Sequence, residues 1–159
     1  MQYQETNKHW NTFSSTIRLL LASGRNDSVV ITIMATESFF RPEPYRILEG
    51  IFWFFMDIFS PEKAKYISVG ISQVQIRHWQ EAGIISNSTS RFSVLSKIYN
   101  PLINYDICKV FLDKADIRHR QAEKLLRIYT GRTTGYHISI FEHFYRQVEN
   151  KKRGISLSH

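Results

Sequence analysis

Residues 26–40 read Asn-Asp-Ser-Val-Val-Ile-Thr-Ile-Met-Ala-Thr-Glu-Ser-Phe-Phe, and the conformation of this stretch decides the architecture. Its Val, Ile and Thr content suits a strand by local preference alone. Two features point the other way. Asn26-Asp27-Ser28 supplies side-chain oxygens that can cap a helix N-terminus. The apolar run is also longer than the usual strand, and its neighbours on both sides are helical in pattern. The spacing therefore predicts a helix that is apolar on nearly every side and buried, with Glu37 close to its end.

Upstream, Trp10, Phe13, Ile17, Leu20 and Leu21 recur at helical spacing, with Gly24 placed to close that helix. Downstream, Pro42 and Pro44 punctuate the chain, and residues 45–59 read as a helix apolar on most sides, its Phe52–Phe55 cluster read first as core and second as a lid or partner surface. Ser60-Pro61 opens a short helix. Residues 71–82 read as a helix between Gly70 and Gly83, and residues 86–90 as a polar loop. Residues 92–99, 101–112, 117–129 and 136–149 give further helical patterns, with a loop over 131–135 and a frayed basic tail over 151–159. The expectation is a mostly α chain of about eight helices, one domain over residues 1–150.

Composition supports that class. The chain has 159 residues, 43% hydrophobic and 14% aromatic, enough to build a core. Seven glycines and four prolines are few for a many-turned β protein. The single cysteine, Cys108, cannot form an internal disulfide and reads as a buried, inert thiol. The net charge is +7, and residues 109–159 carry 11 Lys/Arg against 5 Asp/Glu, so the positive field lies in the last third. Such a field attracts polyanions in general, including the acidic bacterial wall.

The N-terminus shows no basic segment followed by an apolar run, so no conventional signal peptide is visible. The most apolar stretch, residues 51–59, is far short of the roughly 20 residues of a spanning helix. His137 and His143 are six apart with Glu142 between them. They do not make the His-Glu-x-x-His pattern of a zinc site, so neither metal nor cofactor is implied.

Four short elements carry the chemistry. They are Glu37-Ser38 after an apolar helix, Gly70-Ile71-Ser72-Gln73, Asn104 in the helix opened by Asn100-Pro101, and Tyr129-Thr130-Gly131 with Tyr136 beyond. In this order they resemble the bacterial lytic transglycosylases and goose-type lysozymes, over roughly residues 31–147. The resemblance implies a lysozyme-like fold with a saccharide cleft. It makes Glu37 the catalytic acid, with Ser38 beside it. Gly70, Ser72 and Gln73 would shape the cleft, Asn104 would face it, and Tyr129 would point toward the glutamate. Tyr136 would stand further along the wall. Two departures are visible. The family's Ala-Tyr-Asn reads Ile128-Tyr129-Thr130 here, and the interval from Glu37 to Gly70 is long. The extra residues include the apolar helix around Trp53, which would narrow or lid the cleft.

The reaction asks for such residues on its own terms. Cleaving a glycosidic bond requires a carboxyl group that is still protonated near neutral pH, and an apolar setting raises a glutamate from about 4.3 toward 6. No second carboxylate is evident beside Glu37, since the sequence leaves Glu43, Glu49 and Asp57 unplaced. That leans toward a transglycosylase, in which the substrate's own groups replace the second acid. The implied substrate is the peptidoglycan glycan strand, met in the periplasm or cell wall. A secretion apparatus or an inhibitor or immunity protein is a conceivable partner.

A rival reading is a DNA-binding helix-turn-helix over residues 65–79, because Gly70-Ile71-Ser72-Gln73 followed by Ile76 and Trp79 fits a turn and recognition helix. Tyr66 is bulky where that motif needs a small residue. Arg77 is the single Lys or Arg after the turn glycine in that segment, so nucleic acid is not the expected partner.

Overall fold

The computed structural model describes residues 2–115, 122–130 and 134–156. It is mostly helical, with one small hairpin. The helix at its centre is α2 (Ser28–Phe40), which follows α1 (Gln2–Ala22). Asp27 caps α2 by accepting from the Val29 and Val30 amides at 3.0 and 3.3 Å. Every residue from Val30 to Ser38 is buried. The two threonines in this apolar setting satisfy themselves: Thr32 Oγ1 donates to the Ser28 carbonyl and Thr36 Oγ1 to that of Thr32. A β-branched sequence thus forms a helix because it is capped at its start and surrounded by packing partners, which outweigh propensity.

The chain continues through α3 (Glu43–Phe59), α4 (Pro61–Ala64), strands β1 (Ser68–Val69) and β2 (Val74–Gln75), α5 (Ile76–Glu81), α6 (Arg91–Ile98), α7 (Pro101–Lys114), α8 (Ala122–Thr130) and α9 (Gly135–Ser156). Helices α1, α7 and α9 pack around α2. One apolar cluster gathers Phe13, Ile17, Ile31, Met34, Leu112 and Phe144 around it. A second cluster, with Trp53, Val74, Trp79 and Ile107, underlies the hairpin. Tyr129 packs against both clusters.

Three expectations are corrected here, and the rival reading of residues 65–79 with them. Residues 71–75 are not helical: β1 and β2 pair antiparallel with Ser68 opposite Gln75 and Val69 opposite Val74, and helix begins only at Ile76. Positive φ at Gly70 (78°) and Gln73 (53°) turns the chain back on itself where a helix would have to run. The same hairpin means that residues 65–79 do not form two helices and a turn, so the helix-turn-helix geometry is absent from that segment. The Phe52–Phe55 cluster is not core as a whole: Trp53 is buried, but Phe52 and Phe55 are exposed. Finally, residues 151–156 are the last turns of α9 rather than a frayed tail. Lys152 Nζ donates to Ser28 Oγ at 2.8 Å, and Ser28 Oγ in turn donates to Glu149, fastening this end to the start of α2. The predicted start of the 117–129 helix, Gly131 and residues 157–159 lie outside the described residues.

Candidate functional site

Glu37 sits in the last turn of α2 with only 8% of its surface exposed. Burial pushes its carboxyl up to about 7, the Arg41 charge opposes this, and the Glu49 charge adds to it. None of the hydrogen bonds among the described residues engages this carboxyl. A buried acid that is half protonated at neutral pH, with its oxygens uncommitted, is equipped to deliver a proton.

The hairpin turn carries the next two expected elements. Gly70 is required twice over. Its φ of 78° suits glycine, and a Cβ there would come within 2.5 Å of both Asn104 Oδ1 and the Ile98 carbonyl. Ser72 is fully buried. Its amide and hydroxyl donate to Asn104 Oδ1 at 3.2 and 3.1 Å. Asn104 Nδ2 donates to the Ile98 and Asn100 carbonyls, both at 2.8 Å. All the hydrogen-bonding capacity of Asn104 is therefore spent inside the protein. It is a buckle between the turn and the α6–α7 corner, and its polar atoms are turned to the turn instead of to a cleft.

Gln73 Nε2 donates to Glu49 Oε2 at 2.8 Å and to the Gly70 carbonyl at 2.9 Å, while its Oε1 is buried without a partner. The Tyr129 hydroxyl donates to the Ser72 carbonyl and lies 3.4 Å from Cys108 Sγ. Burial raises the Tyr129 phenol well above its ordinary value, and its interaction with Cys108 and the charge of Glu37 push the same way. Glu37 is thus close enough to Tyr129 to be felt by it. Through Tyr129, Ser72 and Asn104, helices α8 and α7 hold one turn of the hairpin in place.

The structure therefore brings Gly70, Ser72, Gln73, Asn104 and Tyr129 into one hydrogen-bonded unit, with Glu37 electrostatically coupled to it. Ser38 is placed differently. It is buried and accepts from Arg46 Nη1 at 2.5 Å, on the border of a cavity of about 780 Å³ that Ile71, Arg46 and Tyr99 also line. Gln73 and Tyr129 line another cavity, of about 420 Å³, with Ser68 and Arg77. Tyr136 stands at the end of α2. Its ring packs edge-on against Phe40 (centroids 5.6 Å) and Phe39 (6.4 Å), away from the hairpin unit.

Sequence reasoning left Glu49 unplaced and missed Arg41. Arg41, just past α2, pairs with Glu49 Oε1 at 2.5 Å, so both Glu49 oxygens are engaged, one by Arg41 and one by Gln73. Gly50 is the signal that could have found this region. Any Cβ there would collide with the Tyr99 hydroxyl, which donates to the Arg46 carbonyl at 3.0 Å and holds α3 beside the site. Among the described residues no group of three or more His, Cys, Asp or Glu side chains could hold a metal ion, and no helix is long and apolar enough to cross a membrane. Comparison with protein-family models, with curated proteins and with solved structures finds no match to this chain.

Proposed function

We propose that this chain is a muramidase of lysozyme-like fold, acting as a lytic transglycosylase on the β-1,4 bond between N-acetylmuramic acid and N-acetylglucosamine. The observation that carries the reading is Glu37 itself. It is a buried, unbonded carboxyl raised to about 7, and its charge is felt by Tyr129, the α8 tyrosine that bonds to the hairpin turn; the turn's glycine and glutamine and that tyrosine follow in the order expected of such enzymes.

In this reading protonated Glu37 donates to the glycosidic oxygen as that bond breaks. The N-acetyl oxygen of the muramic acid closes on C1 and holds the developing positive charge. The 6-hydroxyl of the same sugar then attacks C1 and releases the N-acetyl group, while Glu37, now a carboxylate, takes the hydroxyl proton. No water is consumed, and the product ends in a 1,6-anhydro ring. Glu37 is restored to its starting form.

A hydrolytic variant is favoured by one observation, the presence of Glu49 close enough to raise Glu37. A water on Glu49 would compete, however, with Arg41 and Gln73, which engage one oxygen each and would have to share it or give way. The transglycosylase reading needs no such rearrangement. The basic last third of the chain fits an anionic wall polymer, in the periplasm or cell wall, as the partner.

The test is to digest purified peptidoglycan and weigh the released muropeptides. Fragments lighter than their hydrated counterparts by one water support the proposal. Fragments with ordinary reducing ends make the protein a hydrolase, and no fragments at all refute both.

A further inference from the structure

Helix α3 packs Trp53, Phe54 and Met56 against the core and carries a second apolar stripe on its outer side. At 100° per residue, Tyr45, Leu48, Phe52, Phe55 and Phe59 fall on one stripe, with Ile47, Ile51 and Ile58 along its edge. All eight are exposed, from 44% for Ile47 to 80% for Phe59. Together they cover an arc of ~160° that contains no charge. The charged residues of the helix, Glu43, Arg46, Glu49 and Asp57, lie on the other arc. There Arg46 reaches Ser38, Glu49 reaches Arg41 and Gln73, and Asp57 accepts from Arg91 Nε at 2.8 Å. Three of the four charges of α3 are engaged within the fold, Trp53, Phe54 and Met56 pack toward the second apolar cluster, and the stripe of eight apolar side chains faces outward.

We infer that this face is the interface of a two-fold symmetric dimer, α3 packing against α3 of a second copy. Two observations select that occupant. The spacing 45, 48, 52, 55, 59 alternates three and four residues, the periodicity with which one helix interdigitates with another like itself. The exposed part of these side chains, about half of the ~200 Å² that each carries, sums to on the order of 800 Å² per copy. That sum, the most this face could bury, reaches the area a standard stable interface buries on each side. Exposed apolar patches of this extent mark association surfaces.

The charge pattern also argues against a bilayer. Helices that lie in anionic membrane surfaces have Lys and Arg flanking the apolar face, whereas the other arc of α3 carries three acids and one arginine. A charge-free face is self-complementary, as an isologous contact requires.

The experiment measures the mass of the wild-type chain by light scattering after gel filtration from about 5 to 200 μM, beside Phe52→Glu and Phe52→Cys. Phe52 is the midpoint of the stripe, so a two-fold axis through it sets residue 52 opposite its own copy. The expected results are twice the chain mass for wild type and a single chain mass for Phe52→Glu, with its helical circular dichroism retained. Phe52→Cys should form an intermolecular disulfide on mild oxidation, while wild type, whose sole cysteine is buried, should not. A wild type of single-chain mass throughout the range overturns the inference, whether or not it sediments with phosphatidylglycerol vesicles. A dimer in which Phe52→Cys fails to cross-link overturns it equally. Should Phe52→Glu lose its fold, the wild-type mass and the cross-link still decide.

Discussion

The side-chain amide of Gln73 lies 2.8 Å from Glu49 Oε2, joining the hairpin turn to α3 across 24 residues of sequence. The same Glu49 pairs with Arg41 at the end of α2. Glu49 therefore sits where the helix bearing Glu37, the next helix and the turn converge, and its charge helps hold the Glu37 proton in place.

Replacing Glu49 by Gln removes a negative charge near Glu37 and releases Arg41, whose positive charge then acts on Glu37 without its former partner. Both changes favour the ionised form of Glu37. The Glu37 carboxyl should titrate lower than its value of about 7. Since the acid must be protonated to act, the alkaline limb of the pH–rate profile should move to lower pH in Glu49→Gln. A carboxyl-detected NMR titration reads the same shift without depending on activity, and an unchanged or raised Glu37 value contradicts the coupling.

Glu37 also makes stability depend on pH. Its folded value of about 7 lies above the ordinary glutamate value of 4.5, so the folded protein holds a proton that the unfolded chain would release. Its contribution is complete below about 4.5 and is lost as pH rises toward about 7, leaving an uncompensated buried charge above that. The difference amounts to about 3 kcal/mol at pH 8, since each pKa unit corresponds to about 1.4 kcal/mol. Glu37→Gln should therefore melt higher than wild type at pH 8 and lose most of that advantage at pH 5. A gap between the two melting temperatures that is constant with pH would place Glu37 in ordinary solvent.

How far the sequence could see depended on where the deciding force lay. α2 was legible because its cap and length are local: Asp27 does what an N-cap aspartate does, and the apolar run is too long for a strand. The hairpin was not. Ile71, Val74 and Ile76 keep an apolar rhythm that fits a helix, and only the positive φ at Gln73 and the anchoring of Ser72 by Asn104 break it. Asn104 lies 32 residues away. Burial misled over α3, because an apolar helix was assumed to face inward, and Phe52 and Phe55 face out. Glu37, Gln73 and Tyr129 could be named from the order of short motifs. Glu49 could not, since only the corner at Arg41 and Pro42 folds α3 back toward α2.

Asn104 is the most committed polar residue of the site. Asn104→Ala strips partners from the Ser72 amide and hydroxyl and from two carbonyls, in a position that is fully buried. Each such loss costs about 1 to 3 kcal/mol, and partial overlap brings the whole to about 3 to 5 kcal/mol. Gly70→Ala should also destabilise, by about 2 kcal/mol or more, because the new methyl group meets Asn104 Oδ1 and the Ile98 carbonyl and the backbone is strained. Urea denaturation of the two single variants and the double variant measures both effects and their coupling. The two losses should be less than additive, since both act on the Ser72 contact. Full additivity would mean that Gly70 and Asn104 do not share it.

Tyr129→Phe keeps the ring between the two apolar clusters and removes the hydroxyl that the Ser72 carbonyl accepts. A stability loss of about 1 to 3 kcal/mol is expected, the cost of leaving a buried carbonyl unpaired. Unchanged stability in a chemical denaturation series would show that this hydroxyl does not hold the turn.

The role of Glu37 as proton donor is tested directly by the rate at which suspended peptidoglycan is cleared at pH 6 by wild type and by Glu37→Gln. The glutamine variant should remain folded and clear the suspension at least about a hundredfold more slowly, the scale that a lost general acid removes. A folded Glu37→Gln protein that clears the wall as fast as wild type would contradict it.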